Sequence, residues 1–127
     1  MKKENPESLK KLRVIVGNSK DLRLGMSDSD YEKVKLCSII FHLAASVRFD
    51  DPLKQAILLN TRGAREVCEL SKQMPNLKVC VHVSTAFVQP LILNVIEELI
   101  ETDCDWRAYI DSAEKLPVET LDYLTLK

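Results

Sequence analysis

The stretch 38–90 constrains the fold of this 127-residue chain more than any other part of it. It contains an apolar segment at 38–45, a helical pattern at 52–74, a second apolar segment at 77–83 and a polar turn. Neither apolar segment alternates cleanly with polar residues, which is typical of strands buried on both faces of a parallel sheet. A helix that connects two parallel strands forms a right-handed crossover. The sequence therefore predicts a β-α-β unit.

The full pattern predicts one α/β domain over residues 1–127, with a parallel sheet flanked by helices. Strands are expected near 13–16, 38–43 and 78–83. The first of them is a β-branched run closed by a glycine. A chain of this length makes one domain with a modest core.

Helical spacing and capping residues predict further helices. They are a charged segment at 1–11, a helix at 28–36 capped by Ser27, an amphipathic segment at 91–100, a helix at 105–116 capped by Asp105, and a last one opened by Pro117.

Asp50 and Asp51 precede the long helix at 52–74 and are expected to cap it, and Pro52 suits its first turn. Asn60 lies on its apolar stripe, and a buried amide costs stability unless it is hydrogen-bonded. Two interpretations of this residue stay open. Its amide is either satisfied by the backbone of a neighbouring strand, or it fixes the loops around a cofactor.

Composition excludes some classes of partner. With 18 basic and 19 acidic residues and a net charge of −1, no electrostatic case exists for nucleic acid. We expect no transmembrane segment, because no apolar run approaches 18 residues, and no signal peptide, because the start lacks an apolar region. An intracellular protein with reduced core thiols at Cys37, Cys68 and Cys80 is the corresponding expectation.

Small and hydroxyl side chains follow the two central apolar segments. A hydroxyl of Ser84 or Thr85 can hydrogen-bond a substrate carbonyl and stabilise the charge that develops during hydride transfer, although such a pair also simply forms turns. Ala44 and Ala45 let a flat cofactor approach the backbone, or else serve packing. Arg48 either meets a phosphate or is solvated.

Other candidate groups favour structural interpretations. Tyr-x-x-x-Lys spacing occurs at Tyr31 and at Tyr123, but the first precedes the central strands and the second closes the chain. A zinc site from the central histidines and cysteines matches no standard tetrad, so we predict no metal.

The segment 40–50, Ile-Phe-His-Leu-Ala-Ala-Ser-Val-Arg-Phe-Asp, closely resembles the fatty acyl-CoA reductases. These are extended short-chain dehydrogenase/reductases with an NADPH-binding Rossmann domain. The similarity continues through the segments 52–56, 59–63, 69–78 and 81–87, extends upstream to 24–30 and reaches 116–127 more loosely.

This resemblance implies a four-electron reduction of a long-chain fatty acyl-CoA to a primary alcohol, with two NADPH consumed and CoA released. Thr85 would be the catalytic hydroxyl with Ser84 beside it, and Ala44, Ala45 and Asn60 would line the cofactor. Full-length relatives are expected at a peroxisomal or endoplasmic-reticulum membrane.

The chain departs from the family where the dinucleotide and proton donor should bind. It has three glycines and no Gly-x-x-Gly-x-x-Gly turn, and Tyr123 does not match the family's catalytic tyrosine. Phe87 replaces a tyrosine, and Asn18 stands where Gly-Asp is usual. We therefore expect a partial Rossmann fold truncated at both ends, inactive alone. The alternatives are an extended dehydrogenase for another carbonyl, such as a nucleotide sugar, and a non-catalytic interaction module.

Overall fold

The computed structural model describes residues 6–48, 50–85, 97–98 and 103–125. In chain order its elements are α1 (Pro6–Leu9), a short turn (Leu22–Gly25), α2 (Asp28–Val34), β1 (Ile39–His42), α3 (Leu53–Ala56), a π-helical segment (Ile57–Arg62), α4 (Gly63–Lys72), β2 (Val79–His82), α5 (Trp106–Lys115) and α6 (Val118–Thr125).

The predicted parallel pairing of the two central strands is confirmed. β1 and β2 lie side by side in the same direction, with Ile39 opposite Val79 and His42 opposite His82. The Val83 N–H donates to the His42 carbonyl oxygen at 3.0 Å, so the pairing continues to the carboxyl end of both strands. α3, the π-helical segment and α4 connect the strands, as the sequence predicts.

The strand predicted near 13–16 is wrong. Within the described residues the sheet has two strands, and residues 12–18 form neither helix nor strand. Val14 is 91% exposed and Val16 is also on the surface. A β-branched run becomes a strand only where a neighbour takes up its backbone hydrogen bonds, and no such ladder forms here.

The prediction that both central strands are buried on both faces is also wrong. Ile40 packs against the helices, but Phe41 on the opposite face is 66% exposed, and Leu43 and Val83 are exposed as well. Within the described residues, helices pack against the face that carries Ile40, and the other face keeps its apolar side chains in solvent.

The long helix is interrupted by a π-helical turn. The Gly63 N–H donates to the Leu58 carbonyl oxygen, five residues earlier, and the backbone from Leu53 to Lys72 stays helical throughout. A π-turn holds more residues than an α-turn and so rotates the following side chains relative to an ideal helix. Asn60 is consequently exposed and does not lie on a buried stripe, contrary to the prediction.

The predicted cap of this helix is wrong too. Pro52 occupies the N-cap position and no side chain caps the helix. Asp50 and Asp51 instead contact Arg48, at 2.9 Å and 3.7 Å. The oppositely charged guanidinium holds Asp50 close to its own loop and away from the helix end.

The shorter helices agree with prediction where they are described. Ser27 Oγ accepts from the Asp30 N–H at 3.1 Å at the start of α2, and Asp105 accepts from the Arg107 N–H at 2.9 Å at the start of α5. Only Glu97 and Glu98 of the predicted helix at 91–100 are described, so that prediction lies outside the described residues. None of the helices in the described ranges combines the length and apolar character needed to cross a membrane.

Two small clusters form the core of the described part of the chain. Tyr31, Leu70 and Met74 join α2 and α4 beneath Ile40 of β1. A second cluster, of Ile57, Ile110 and Ala113, joins the π-helical segment to α5. The first cluster attaches the helices to the sheet and therefore fixes where the carboxyl ends of the strands lie.

The predicted core thiols are wrong. All four cysteines are exposed. Cys80 lies on β2 beyond the cover of the helices, and Cys68 faces outward from α4 because the π-helical turn precedes it. Cys37 lies in the connection between α2 and β1.

Candidate functional site

The candidate site lies at the edge of the sheet where β1 and β2 both end. Ala44 and Ala45 lie two and three residues beyond the end of β1, and Ser84 and Thr85 lie two and three residues beyond the end of β2. All four residues are exposed. Ligands of open parallel sheets bind outside the carboxyl ends of the strands, so the structure places the four residues at the edge where such a ligand is expected.

Asn60 fixes the loop that leaves β1. Its Oδ1 accepts from the Ser46 N–H at 2.9 Å, and its Nδ2 donates to the Ser46 carbonyl oxygen at 3.2 Å. One side-chain amide thus satisfies both backbone groups of a residue immediately after Ala44 and Ala45. The interpretation that Asn60 holds a loop of the site agrees with this geometry better than pairing with a strand.

Asn60→Ala should release this loop. Removing both hydrogen bonds, each of which contributes about 1 kcal/mol, should raise the hydrogen-exchange rate of the Ser46 amide roughly fivefold or more. Asn60→Asp keeps the acceptor and should leave that amide protected. Amide exchange measured by NMR checks this, with Asn76→Ala, another exposed asparagine, as the matched control. Equal exchange at Ser46 in all three variants and the parent would contradict the assignment.

A second loop, at residues 17–25, lines a cavity together with β1 and Ala44. Arg23, Leu24 and Gly25 have φ of 53°, 59° and 62°, which is a left-handed turn that costs side-chain-bearing residues energy. Glu66, buried on α4, accepts from the Arg23 N–H at 2.7 Å and from Arg65 at the same distance. This charge-assisted contact offsets the cost of the turn.

Arg62 ties the same loop to a distant helix. From the π-helical segment its guanidinium donates to the Lys20 carbonyl oxygen and to Glu114 of α5, the latter at 2.7 Å. Gly63 lets the loop approach α4 closely, because a side chain there would lie 3.0 Å from the Ser19 carbonyl oxygen. The π-helical segment and the start of α4 therefore anchor both loops. Asn60 holds the loop after β1, and Arg62 and Gly63 hold the loop at residues 17–25.

A cavity of about 420 Å³ opens between the second loop and β1. It is mostly apolar, and its lining includes Asn18, Ser19, His42, Ala44 and Leu70. Ala44, one of the candidate cofactor residues, is among the small side chains that line it. No lysine or arginine lines it within the described residues, so these residues do not compensate the charge of a pyrophosphate.

The other predicted candidates have structural roles. Arg48 is solvent-exposed and bound to Asp50, whose pKa the guanidinium lowers from its usual range; the solvated interpretation of Arg48 therefore fits. Tyr31 is buried, and its hydroxyl accepts from Gln73 at 3.3 Å. Tyr123 is exposed, and the lysine predicted beside it lies outside the described residues.

Two histidines lie directly beneath the site. His42 and His82 face each other across the two strands, with ring centroids 4.9 Å apart. His42 is 6% exposed, and its pKa is lowered, first by burial and then by the neighbouring His82. No three acidic, cysteine or histidine side chains of the described chain cluster in a way that could hold a metal ion.

The histidine pair is the feature that sequence reasoning missed. Local pattern identifies each histidine only as a structural residue or as a zinc candidate, and not as half of a facing pair. The available signal is spacing: His42 precedes Ala44 by two residues, and His82 precedes Ser84 by two. Aligning the two strands at their carboxyl ends places the imidazoles opposite each other.

Comparison with known proteins identifies similar sequences along nearly the whole chain. The family model of the male sterility protein matches residues 1–121. The chain is 35% identical to fatty acyl-CoA reductase wat of Drosophila melanogaster over 126 residues, which are 98% of this chain and 24% of that protein. It is 32% identical over 123 residues to fatty acyl-CoA reductase 2 of Homo sapiens, covering 96% of this chain and 24% of the relative.

The same similarity extends to fatty acyl-CoA reductase 1 of Gallus gallus, at 32% identity over 128 residues, or 25% of that protein. The chain thus spans about a quarter of the length of these curated relatives. No solved structure matches it.

Proposed function

The chain belongs to the male sterility protein family of NAD-binding domains, and on this basis we propose that it forms the central part of an NADPH-dependent fatty acyl-CoA reductase. The proposed reaction converts a long-chain fatty acyl-CoA to a primary alcohol and releases CoA. A location of the longer protein at a peroxisomal or endoplasmic-reticulum membrane is part of the same proposal.

The observation that carries the proposal is the parallel register of β1 and β2. It brings the Ser84-Thr85 pair and the Ala44-Ala45 pair to one edge of one sheet. The relatives with similar sequences are named fatty acyl-CoA reductases, which supports the same chemistry for this edge.

Each residue of the site has a definite task in this reaction. A bound nicotinamide ring supplies hydride in both reduction steps. The Thr85 hydroxyl donates a hydrogen bond to the substrate carbonyl oxygen and stabilises the negative charge that develops there. Ser84 supports this contact from the adjacent position. Asn60, through Ser46, keeps the loop after Ala44 and Ala45 in place so that the ring can approach the backbone.

The 127 residues by themselves should not catalyse the reaction. Their sequence contains no glycine-rich turn for the pyrophosphate, and none of the described residues is assigned as the proton donor that carbonyl reduction requires. Purified chain incubated with NADPH and a long-chain acyl-CoA is expected to show no substrate-dependent decrease of NADPH absorbance.

A chimera tests the proposal directly. In it, this chain replaces the segment that it matches in the Drosophila melanogaster reductase. We expect acyl-CoA-dependent oxidation of NADPH and formation of fatty alcohol. A folded chimera that binds NADPH but reduces no acyl-CoA would contradict the proposal, and reduction of a nucleotide-sugar carbonyl by the same chimera would favour the other dehydrogenase class.

Exposed apolar side chains on the sheet favour a second candidate function, that of a non-catalytic interaction module. Phe41, Leu43 and Val83 lie on the surface of the strands and their ends. Large exposed apolar patches mark association surfaces. An inactive chimera, together with concentration-dependent association of the free chain in size-exclusion chromatography, would support this candidate over the reductase.

A further inference from the structure

The histidine pair is placed to control the geometry of the candidate site. His42 and His82 are the last residues of β1 and β2 and lie opposite each other in the register. In a strand, alternate side chains share a face, so each imidazole points to the same face as the residue two positions later. Those residues are Ala44 and Ser84. Each histidine therefore precedes a residue of the proposed site by two positions on the same face: His42 precedes Ala44, and His82 precedes Ser84.

We propose that His42 and His82 are positioning residues, whose protonation state determines whether the carboxyl ends of β1 and β2 stay together beneath Ala44 and Ser84. With at most one of the two rings in the charged imidazolium form, the imidazoles pack at 4.9 Å without mutual repulsion. With both rings charged, two cations face each other at that distance beside a largely apolar cavity. Like charges directly opposite each other across strands destabilise the pairing.

Other charges near the pair do not compensate this repulsion within the described parts of the chain. On the side of the cavity that His42 lines, α4 contributes Val67 and Leu70, and the second loop contributes Asn18 and Ser19. Among the residues that the structure describes, the titratable groups that remain are two thiols: Cys37 lines the cavity, and Cys80 shares the β2 face of His82. Thiols carry no positive charge and are in general protonated at acidic pH. The buried carboxylate of Glu66, on α4, is already bound to Arg65 and to the Arg23 backbone.

The direction of the pH effect follows from the burial of His42. Its folded-state pKa is lowered, first by burial and then by His82, so the folded state favours the neutral ring. The stability that this ring contributes is complete above the ordinary imidazole pKa of about 6.5 and is lost as the pH falls through the lowered value. The backbone bond from Val83 to the His42 carbonyl oxygen should open in the same range, because it joins the two strands directly beyond the histidine pair.

The chain allows an unusually clean test, since it contains only two histidines. In the isotope-labelled 127-residue chain, NMR follows both imidazoles and the amides of Ala44, Val83 and Ser84 from pH 8 to 5. Most carboxylates titrate below this range. We expect the three amides to shift with the midpoint of His42, and the distant Ile110 amide to stay constant.

Three variants separate positioning from simple packing. His82→Gln, at an exposed position, removes the neighbouring imidazole that helps to lower the pKa of His42, and should therefore raise the midpoint of His42. His42→Gln should abolish the pH-dependent shifts at Ala44 and Ser84. Cys80→Ser, on the same strand face, should leave every midpoint unchanged. Should His42→Gln fail to fold, the midpoint of His42 in His82→Gln still decides the matter.

The proposal would be overturned if the chemical shifts of the Ala44 and Ser84 amides in the parent chain did not change between pH 8 and 5. It would also be overturned by a His42 midpoint that is the same in His82→Gln and the parent. The importance of the pair for catalysis rests on the proposed reductase function, but this test does not. If the chimera is inactive but the Ala44 and Ser84 amides of the 127-residue chain shift with pH, only the reductase assignment is wrong. If the chimera is active but these amides do not shift with pH, only the histidine proposal is wrong.

Discussion

Thr85→Ala in the reductase chimera should lower the rate of acyl-CoA-dependent NADPH oxidation by about 100- to 1,000-fold. This is the usual effect of removing one hydrogen-bond donor that stabilises an oxyanion in the transition state. Thr85 lies three residues beyond the end of β2, at the edge that Ala44 shares. Initial rates at saturating acyl-CoA measure the effect, and it should appear in kcat with little change in KM, because the charge develops only in the transition state.

Two further variants act as controls for this prediction. Thr85→Ser keeps a hydroxyl at the same position and should retain most of the activity. Ser84→Ala should cost less than Thr85→Ala, because Ser84 is assigned a supporting contact. A chimera in which Thr85→Ala is as active as its parent would show that the hydroxyl does not contact the reacting oxygen.

Leu70→Ala should destabilise the chain by about 2–5 kcal/mol, the range found for buried leucines whose removal leaves a cavity. Leu70 is 3% exposed and packs with Tyr31 and Met74 under Ile40. Because this cluster attaches α4 to β1, its loss also loosens the support of the candidate site. Urea unfolding followed by circular dichroism gives the change in the free energy of unfolding.

Leu36→Ala is the matched control for this experiment. Leu36 is 69% exposed, and its truncation should change the free energy of unfolding by less than about 0.5 kcal/mol. Equal effects of the two substitutions would mean that the cluster around Leu70 is not the core of the chain.

The sequence was most informative where local pattern and global fold agree. Two apolar segments without alternation, joined by one long helical pattern, predicted the parallel pair, and the structure adds its register, with Ile39 opposite Val79. Capping residues located the helices after Ser27 and Asp105, because a cap is a contact between residues only two or three positions apart.

Features that depend on distant partners could not be predicted in this way. The run around Val14 has strand composition, but no described neighbour takes up its hydrogen bonds. The π-helical segment rotates Asn60 out of the stripe that ideal helical spacing assigns to it. The contacts of Arg62 with Lys20 and Glu114 join residues separated by 42 and 52 positions, which no local pattern specifies.

The candidate site could be predicted only in part, because local pattern indicates strand ends but not contacts between distant residues. Ala44, Ala45, Ser84 and Thr85 follow strand ends, and strand ends can be read from composition. The partner of Asn60, Ser46, became visible only in three dimensions, as did the pairing of the two histidines.

The most direct test of the reductase assignment follows hydride from cofactor to product. NADPH deuterated at the transferable position of C4 is supplied to the chimera with a long-chain fatty acyl-CoA, and the alcohol is analysed by mass spectrometry. We expect two deuterium atoms on carbon 1 of the alcohol for each CoA released, because both reduction steps receive hydride from the dinucleotide. A folded, NADPH-binding chimera that yields no deuterated alcohol would contradict the reductase assignment.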